Sequence, residues 1–289
     1  MKYTDTELEE ILNQLIASTR SPRGRFSAAA SYPELEKRLK SHTRHLTLIR
    51  TFSAAAAVAL LCLSVWTAYL YMQPVTIQTV STLAETRTVC LPDGSTVTLN
   101  HYSSLSYPEK FKSDKREVKL NGEAYFEVSK NKELPFVVST GKLSVKVLGT
   151  KFNLKSYEED SELKVTLKEG AVKVGDFLID AAPVELKPNQ RFTLRKADLS
   201  MQVDSVDASH IDNWRNGAMT FDKVPLEEIA KELKRLYNIP IRIESDKLKQ
   251  IVYYSDFQEN VSVEKVLEIL SSGNKFRYEI KSEEIRIFN

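Results

Sequence analysis

Hydrophobic residues recur at different periods along the chain, and each period predicts a different kind of element. Leu8, Ile11, Leu12, Leu15 and Ile16 follow the i, i+3, i+4, i+7, i+8 spacing of one helical face, and Thr4 and Glu7 precede them at capping-box distance. This predicts an amphipathic helix ending near Ser18, then a basic turn, RSPRGR. A second helix is expected from Ser31 or Pro33, carrying Leu35, Leu39 and Leu46 onward. From Thr51 to Met72 the periodicity gives way to a run of 22 residues in which only Thr51, Ser53, Ser64 and Thr67 are polar. As a helix it would be about 33 Å long, enough for a hydrocarbon core of about 30 Å. Trp66, Tyr69 and Tyr71 gather at its end as an interfacial belt would, and Pro74 stops it.

Beyond Thr76 the period drops to two. TVCLPDGSTVTLN reads as strand, turn and strand around Pro92-Asp93-Gly94, and VTLKEGAVKV turns at Glu169-Gly170. REVKLNGEAYFEV reads as a hairpin across Asn121-Gly122, the strongest short-range hairpin signal. In LSVKVLGTKFNLKSY, Leu143, Val145 and Val147 hold one phase while Phe152 and Leu154 hold the other, which predicts a β-bulge at Leu148-Gly149-Thr150. Many short strands over 76–206 predict an all-β sandwich or roll.

Helical periodicity returns in the tail, 207–289. A strand at Ala218–Phe221, a helix from Pro225 to Tyr237 and a strand at Ile241–Ile243 form one unit. Its helix should bury Leu226, Ile229, Ala230, Leu233, Leu236 and Tyr237. A similar unit follows: a strand near Ile251–Tyr254, a helix from Val261 to Leu270 capped at Gly273, then strands Phe276–Ile280 and Ile285–Phe288. The whole is therefore expected to be a single-pass membrane protein: a short helical segment (1–50), one transmembrane helix (51–73), an all-β domain (76–206) and a small α/β domain of repeated β-α-β units (207–289).

Charge sets an expected orientation. Residues 1–50 hold nine Lys and Arg against six Asp and Glu, and no charged residue falls between Arg50 and Glu85. The positive-inside rule then puts 1–50 in the cytoplasm and the large C-terminal part outside. A cleaved signal peptide would need a shorter leader than 50 residues and a shorter apolar core. The chain of 289 residues carries a net charge of +2, too balanced for a general nucleic-acid binder. Two short helices within 50 residues expose more apolar surface than they can bury on each other. Leu8, Ile11, Leu12, Leu15 and Ile16 are thus candidates for docking a cytoplasmic protein, the alternative being a helix lying on the inner membrane face.

Catalytic and metal chemistry find little support. The chain has no P-loop, G-x-S-x-G, H-E-x-x-H or C-x-x-C, and His42, His45, His101 and His210 lack a zinc-type spacing. Asp204, Asp207 and Asp212 have neither the spacing nor the Gly turn of a Ca²⁺ loop, and no cofactor or metal is expected. Cys62 lies in the apolar run and Cys90 beyond it, so an intrachain disulfide is not expected. Cys90, between Val89 and Leu91, is expected to be a small buried residue.

The runs LPDGSTVTLN, SSLSYP, REVKLNGEAYFEV, PFVVST, VKVLGTKFNL, VTLKEGAVKV and L-x-PNQ, in that order over about residues 80–195, resemble the FecR family of membrane-anchored anti-sigma regulators. The W-x-x-G-x-M-x-F and PLEEI…L-x-R-x-YN runs resemble the short N-terminal domain of secretins and TonB-dependent receptors, which often closes FecR-like chains of the Bacteroidetes type. This resemblance implies an inner-membrane protein whose cytoplasmic segment binds an extracytoplasmic-function sigma factor. It also implies that the periplasmic end meets the signalling domain of a TonB-dependent transporter, SusC-like or iron-chelate. Some relatives split their own chain at a Gly-Thr in this domain by an N-to-O acyl shift; Gly149-Thr150 matches that dipeptide, and the alternative is that it only turns the strand. The segment before the span is shorter than in many relatives and has no Trp, so inhibition and activation of the sigma factor both fit it. A membrane-anchored periplasmic module binding glycan or protein, with no sigma-factor partner, is the competing expectation.

Overall fold

The computed structural model describes residues 5–18, 33, 37, 52–69, 75–175, 181–273, 275–281 and 283–289. The chain divides into two compact units, Met1–Pro74 and Val75–Asn289. In the first, helix α1 spans Asp5–Ser18, ending where the apolar spacing predicts. Helix α2, Phe52–Tyr69, is long and apolar enough by length and composition to cross a membrane, and none of it is buried. The second helix expected from Ser31 or Pro33 lies outside the described residues except at 33 and 37.

Among the described residues, the second unit opens with thirteen strands. In chain order they are β1 (Ile77–Ser81), β2 (Arg87–Cys90), β3 (Thr96–Leu99), β4 (Ser104–Pro108), β5 (Arg116–Glu127), β6 (Phe136–Ser139), β7 (Ser144–Val147), β8 (Lys151–Ser156), β9 (Glu162–Glu169), β10 (Val172–Gly175), β11 (Val184–Leu186), β12 (Gln190–Arg195) and β13 (Met201–Ser205). They form two sheets that share β5. Sheet I runs β11-β10-β7-β6-β5-β4-β1, and sheet II runs β2-β3-β5-β8-β9-β12-β13. Every pair is antiparallel except β5 with β6. The two inner faces close on one core that includes Leu105, Leu120, Phe136 and Val145 from sheet I and Phe126, Phe152, Leu154 and Phe192 from sheet II. Phe126 stacks on Phe152 at 4.8 Å within sheet II and meets Phe136 of sheet I edge-on at 6.3 Å. Burying each such ring is worth about 1.5–3 kcal/mol.

The sandwich departs from the sequence expectations at three places. Asn121-Gly122 makes no hairpin: both lie inside the continuous twelve-residue strand β5. Up to Asn121 this strand pairs with β4 and β6, and from Gly122 with β3 and β8, so Gly122 (φ +104°) is where the chain passes from one sheet to the other. The phase change at Leu148-Gly149-Thr150 is likewise a change of sheet, from β7 in sheet I to β8 in sheet II, and the register irregularity falls one step later, between Lys151 and Phe152. Cys90 is exposed rather than buried, because strand alternation turns Val89 and Leu91 inward and leaves Cys90 between them facing out.

The tail holds β14 (Met219–Pro225), α3 (Leu226–Tyr237), β15 (Ile241–Ile243), α4 (Asp246–Lys249), β16 (Val252–Phe257), α5 (Val263–Ser271), β17 (Arg277–Ile280) and β18 (Ile285–Phe288). The first strands of the two units pair with each other, β14 with β16, while β15 and β17 flank β18. Asn238, left-handed at φ +55°, ends α3. Ser262 caps α5, which ends on right-handed Ser272, so Gly273 is not its cap. Met219, Phe221, Ile229, Leu233, Val266, Leu267 and Ile285 belong to the core of this α/β body, which shares no residue with the core of the sandwich.

Candidate functional site

Three places carry candidate function. On α1, Ile11, Leu12 and Leu15 stand 44%, 57% and 59% exposed, on the stripe that the helical spacing defines. Leu8 and Ile16 belong to the same helix, and their side chains lie outside the described residues. A row of exposed aliphatic side chains one helical turn apart is a surface suited to a hydrophobic groove on another protein.

The second place is the Gly149-Thr150 junction. Gly149 has φ +147°, and a Cβ there would come within 2.6 Å of the Lys130 Cα, so only glycine fits. Thr150 is buried, donates its hydroxyl to the Ala171 carbonyl at 3.0 Å, and accepts the Val128 amide on its own carbonyl at 3.0 Å. Gly170 lies across it: a Cβ on Gly170 would be 2.9 Å from Thr150 Oγ1 and 3.0 Å from the Gly149 carbonyl oxygen. Gly149 thus lets the β7–β8 junction approach Lys130 between β5 and β6, and Gly170 lets the β9–β10 turn close on Thr150.

The third place was not visible in the pattern. Asp207 accepts from Ser209, and Asp212 accepts from Lys168 at 2.6 Å, so the acidic cluster spends its carboxylates on separate partners. Beside it, the face of α3 turned away from its own core meets the sandwich. Arg235, 6% exposed, donates to Asp160 at 2.8 Å and to Glu159 at 2.9 Å, and its guanidinium lies 3.9 Å from the centre of the Tyr157 ring. One turn earlier Glu232 accepts from Lys155 at 2.7 Å, and one turn before that Glu228 accepts the Ser161 amide at 3.4 Å. Trp214 donates its indole N–H to Asn153 at 3.2 Å, and Asn153 donates to Glu123 at 2.8 Å. Tyr102 donates its hydroxyl to Asn238. The partly open cleft among Asn100, His101, Glu123, Tyr157, Trp214 and Arg235 has only about 20 Å³ of accessible volume, room for one water and far below a ligand pocket.

Electrostatics tighten this seam. Burial works against the Glu232 carboxylate, yet the Lys155 ammonium outweighs it and holds its pKa below the usual glutamate range. Burial also opposes charge on Lys155, and Glu232, Glu123 and Asp160 together keep its pKa above the ordinary lysine value. Burial pushes the His101 pKa down, with Arg235 adding to the effect and Glu232 opposing it. Residues 228, 232 and 235 form a second helical stripe of charge, which a sequence alone presents as a solvated face.

Residues 78–173 match the family FecR protein, and residues 218–287 match FecR, C-terminal. Two crystal structures of a protein designated an anti-sigma factor, from Parabacteroides distasonis ATCC 8503, are similar at 30% identity and a TM-score of 0.70. The alignments cover 74% and 73% of this chain and 99% of each of those chains. A search of curated proteins finds no match. The two family matches cover more than half of the sequence and fall on the sandwich and on the α/β body, and the chain is therefore a member of the FecR family, to which the anti-sigma role belongs.

Proposed function

We propose that this anti-sigma protein crosses the inner membrane once and relays a periplasmic signal to a cytoplasmic extracytoplasmic-function sigma factor. The observation that carries this reading is the exposed stripe Ile11, Leu12 and Leu15 on a helix lying ahead of an apolar helix long enough to span. In this reading α1 holds the sigma factor, α2 crosses with the basic residues 1–50 inside, and the sandwich and α/β body stand in the periplasm. The signalling domain of a TonB-dependent transporter, SusC-like or iron-chelate, engages 207–289. One helix cannot transmit a change unless some state is bound differently on one side, so release of the sigma factor proceeds by proteolysis in or beside the span or by partner-driven rearrangement.

The test is a two-hybrid assay of residues 1–50 against extracytoplasmic-function sigma factors. Binding is expected, and Leu12→Glu is expected to abolish it, because it sets a charge in the middle of an apolar contact at a cost of several kcal/mol. A segment that binds no sigma factor, or binds equally well with Leu12→Glu, would favour the anchored periplasmic binding module instead.

Gly149-Thr150 is the scissile bond of this reading. The Thr150 hydroxyl attacks the Gly149 carbonyl carbon, its proton passes to the leaving amide nitrogen, the C–N bond breaks and an ester forms; water then hydrolyses the ester. The fragments 1–149 and 150–289 would stay together, since β5 with β8 and β7 with β10 pair across the cut. A denaturing gel of the wild-type chain is expected to give two bands and Thr150→Ala one; a single wild-type band removes the step.

A further inference from the structure

The sandwich and the α/β body have separate apolar cores, so what joins them is the polar seam at α3. Its partners on the sandwich gather on one strand and its turn, with further contacts from Tyr102 to Asn238 and from Lys168 on β9 and Glu127 on β5 to Asp212 and Arg215 ahead of α3. Asn153 and Lys155 lie on β8, and Tyr157, Glu159, Asp160 and Ser161 lie on the turn that follows it. Alternation along β8 turns Phe152 and Leu154 into the sandwich core and leaves Asn153 and Lys155 on the opposite face, against the α/β body. This strand begins at Lys151, next to Thr150, and is held from one side by β5 and from the other by β9. The contacts are suited to fixing an orientation. Arg235 reaches two carboxylates and stacks on an aromatic ring, and Arg235 and Asp160 are both nearly excluded from solvent at 7% and 4% side-chain exposure.

We infer that this seam makes the α/β body and strand β8 one mechanical element, so that a partner acting on the body acts first on β8 and on the Gly149-Thr150 junction at its start. This rests on the reading that a periplasmic partner engages 207–289. Helix α3 grips the strand and its following turn through three successive turns, at Glu228, Glu232 and Arg235, and Trp214 adds a fourth point from the preceding segment. A displacement of α3 is therefore passed to β8 through short charged contacts, while sheet I, which α3 does not touch through these bonds, is not loaded directly.

Hydrogen exchange of the full chain in detergent micelles tests this without any partner, so its failure is separate from failure of the transporter reading. Arg235→Met is expected to raise exchange of the 151–156 amides about tenfold, with β6 and β10 of sheet I and the amides of α3 unchanged. Arg235→Lys, which keeps the charge and loses the planar fork, should give a smaller rise at the same amides. Lys155→Glu should act like Arg235→Met, and adding Glu232→Lys should bring β8 back toward the wild-type rate. Unchanged β8 exchange in Arg235→Met and Lys155→Glu, or a rise spread equally over both sheets, overturns the inference. Should Arg235→Met fail to fold, Arg235→Lys decides by the same comparison of β8 with β6 and β10.

Discussion

Asp93→Ala is expected to destabilise the sandwich by about 3–5 kcal/mol, the loss that follows when one partner of a buried ion pair is removed. Arg116 is 1% exposed, and its Nη1 donates to Asp93 Oδ2 at 2.6 Å and to the Ser129 carbonyl at 2.9 Å. Its Nε donates to the Leu134 carbonyl at 2.9 Å, and the guanidinium lies 5.4 Å from the Phe136 ring centre. Those carbonyls satisfy donors but do not neutralise the charge. Without Asp93 a full positive charge stays in the interior, and the β2–β3 turn also loses the carboxylate that accepts the Ser95 amide and hydroxyl. For a folded unit of this size the melting temperature should fall by roughly 6–20 °C, read by thermal unfolding in detergent. Adding Arg116→Met should recover most of the loss, because an apolar side chain of similar length needs no counter-ion. A change under about 1 kcal/mol in Asp93→Ala, or no recovery in the double variant, would remove the buried pair from the account of this fold.

Arg116 also shows what the amino-acid order could and could not reveal. Strands, helices and most of their ends follow from period and turn chemistry, and so do α1 and α2, because each depends on neighbours in the chain. The Arg116 side chain opens a polar-looking strand and was indistinguishable from a surface charge; its burial depends on Asp93, 23 positions away. The same holds for α3. Its apolar stripe was legible since Leu226, Ile229, Ala230 and Leu233 pack within their own body. Its charged stripe was not, since Lys155, Glu159 and Asp160 come from another part of the chain. Cys90 failed for a simpler reason: in a strand with one buried face, having two apolar neighbours argues for facing outward.

The Asn-Gly pair misled because its two uses look alike in one dimension. A hairpin turn and a crossover between sheets both need a residue free to leave the ordinary strand region, and only pairing partners decide between them. Gly122→Ala tests which constraint acts. At φ +104° any side chain is strained, by about 1–3 kcal/mol, and here the new Cβ would also stand 2.7 Å from the Ser103 Cα. Ser103 cannot give way: its amide donates to Thr82 Oγ1 at 2.9 Å, its carbonyl accepts the Thr82 amide at 2.9 Å, and its hydroxyl accepts the Glu123 amide at 2.9 Å. Strain and overlap together should cost about 3–5 kcal/mol. Gly141 is the control, since φ is +77° there and nothing lies within 4 Å of its would-be Cβ. Gly141→Ala should cost about 1 kcal/mol, leaving its melting temperature several degrees above that of Gly122→Ala. Equal losses in the two variants would mean that left-handed backbone alone is at stake at Gly122, and that the close approach of β5 to Ser103 does not fix where the strand changes sheets.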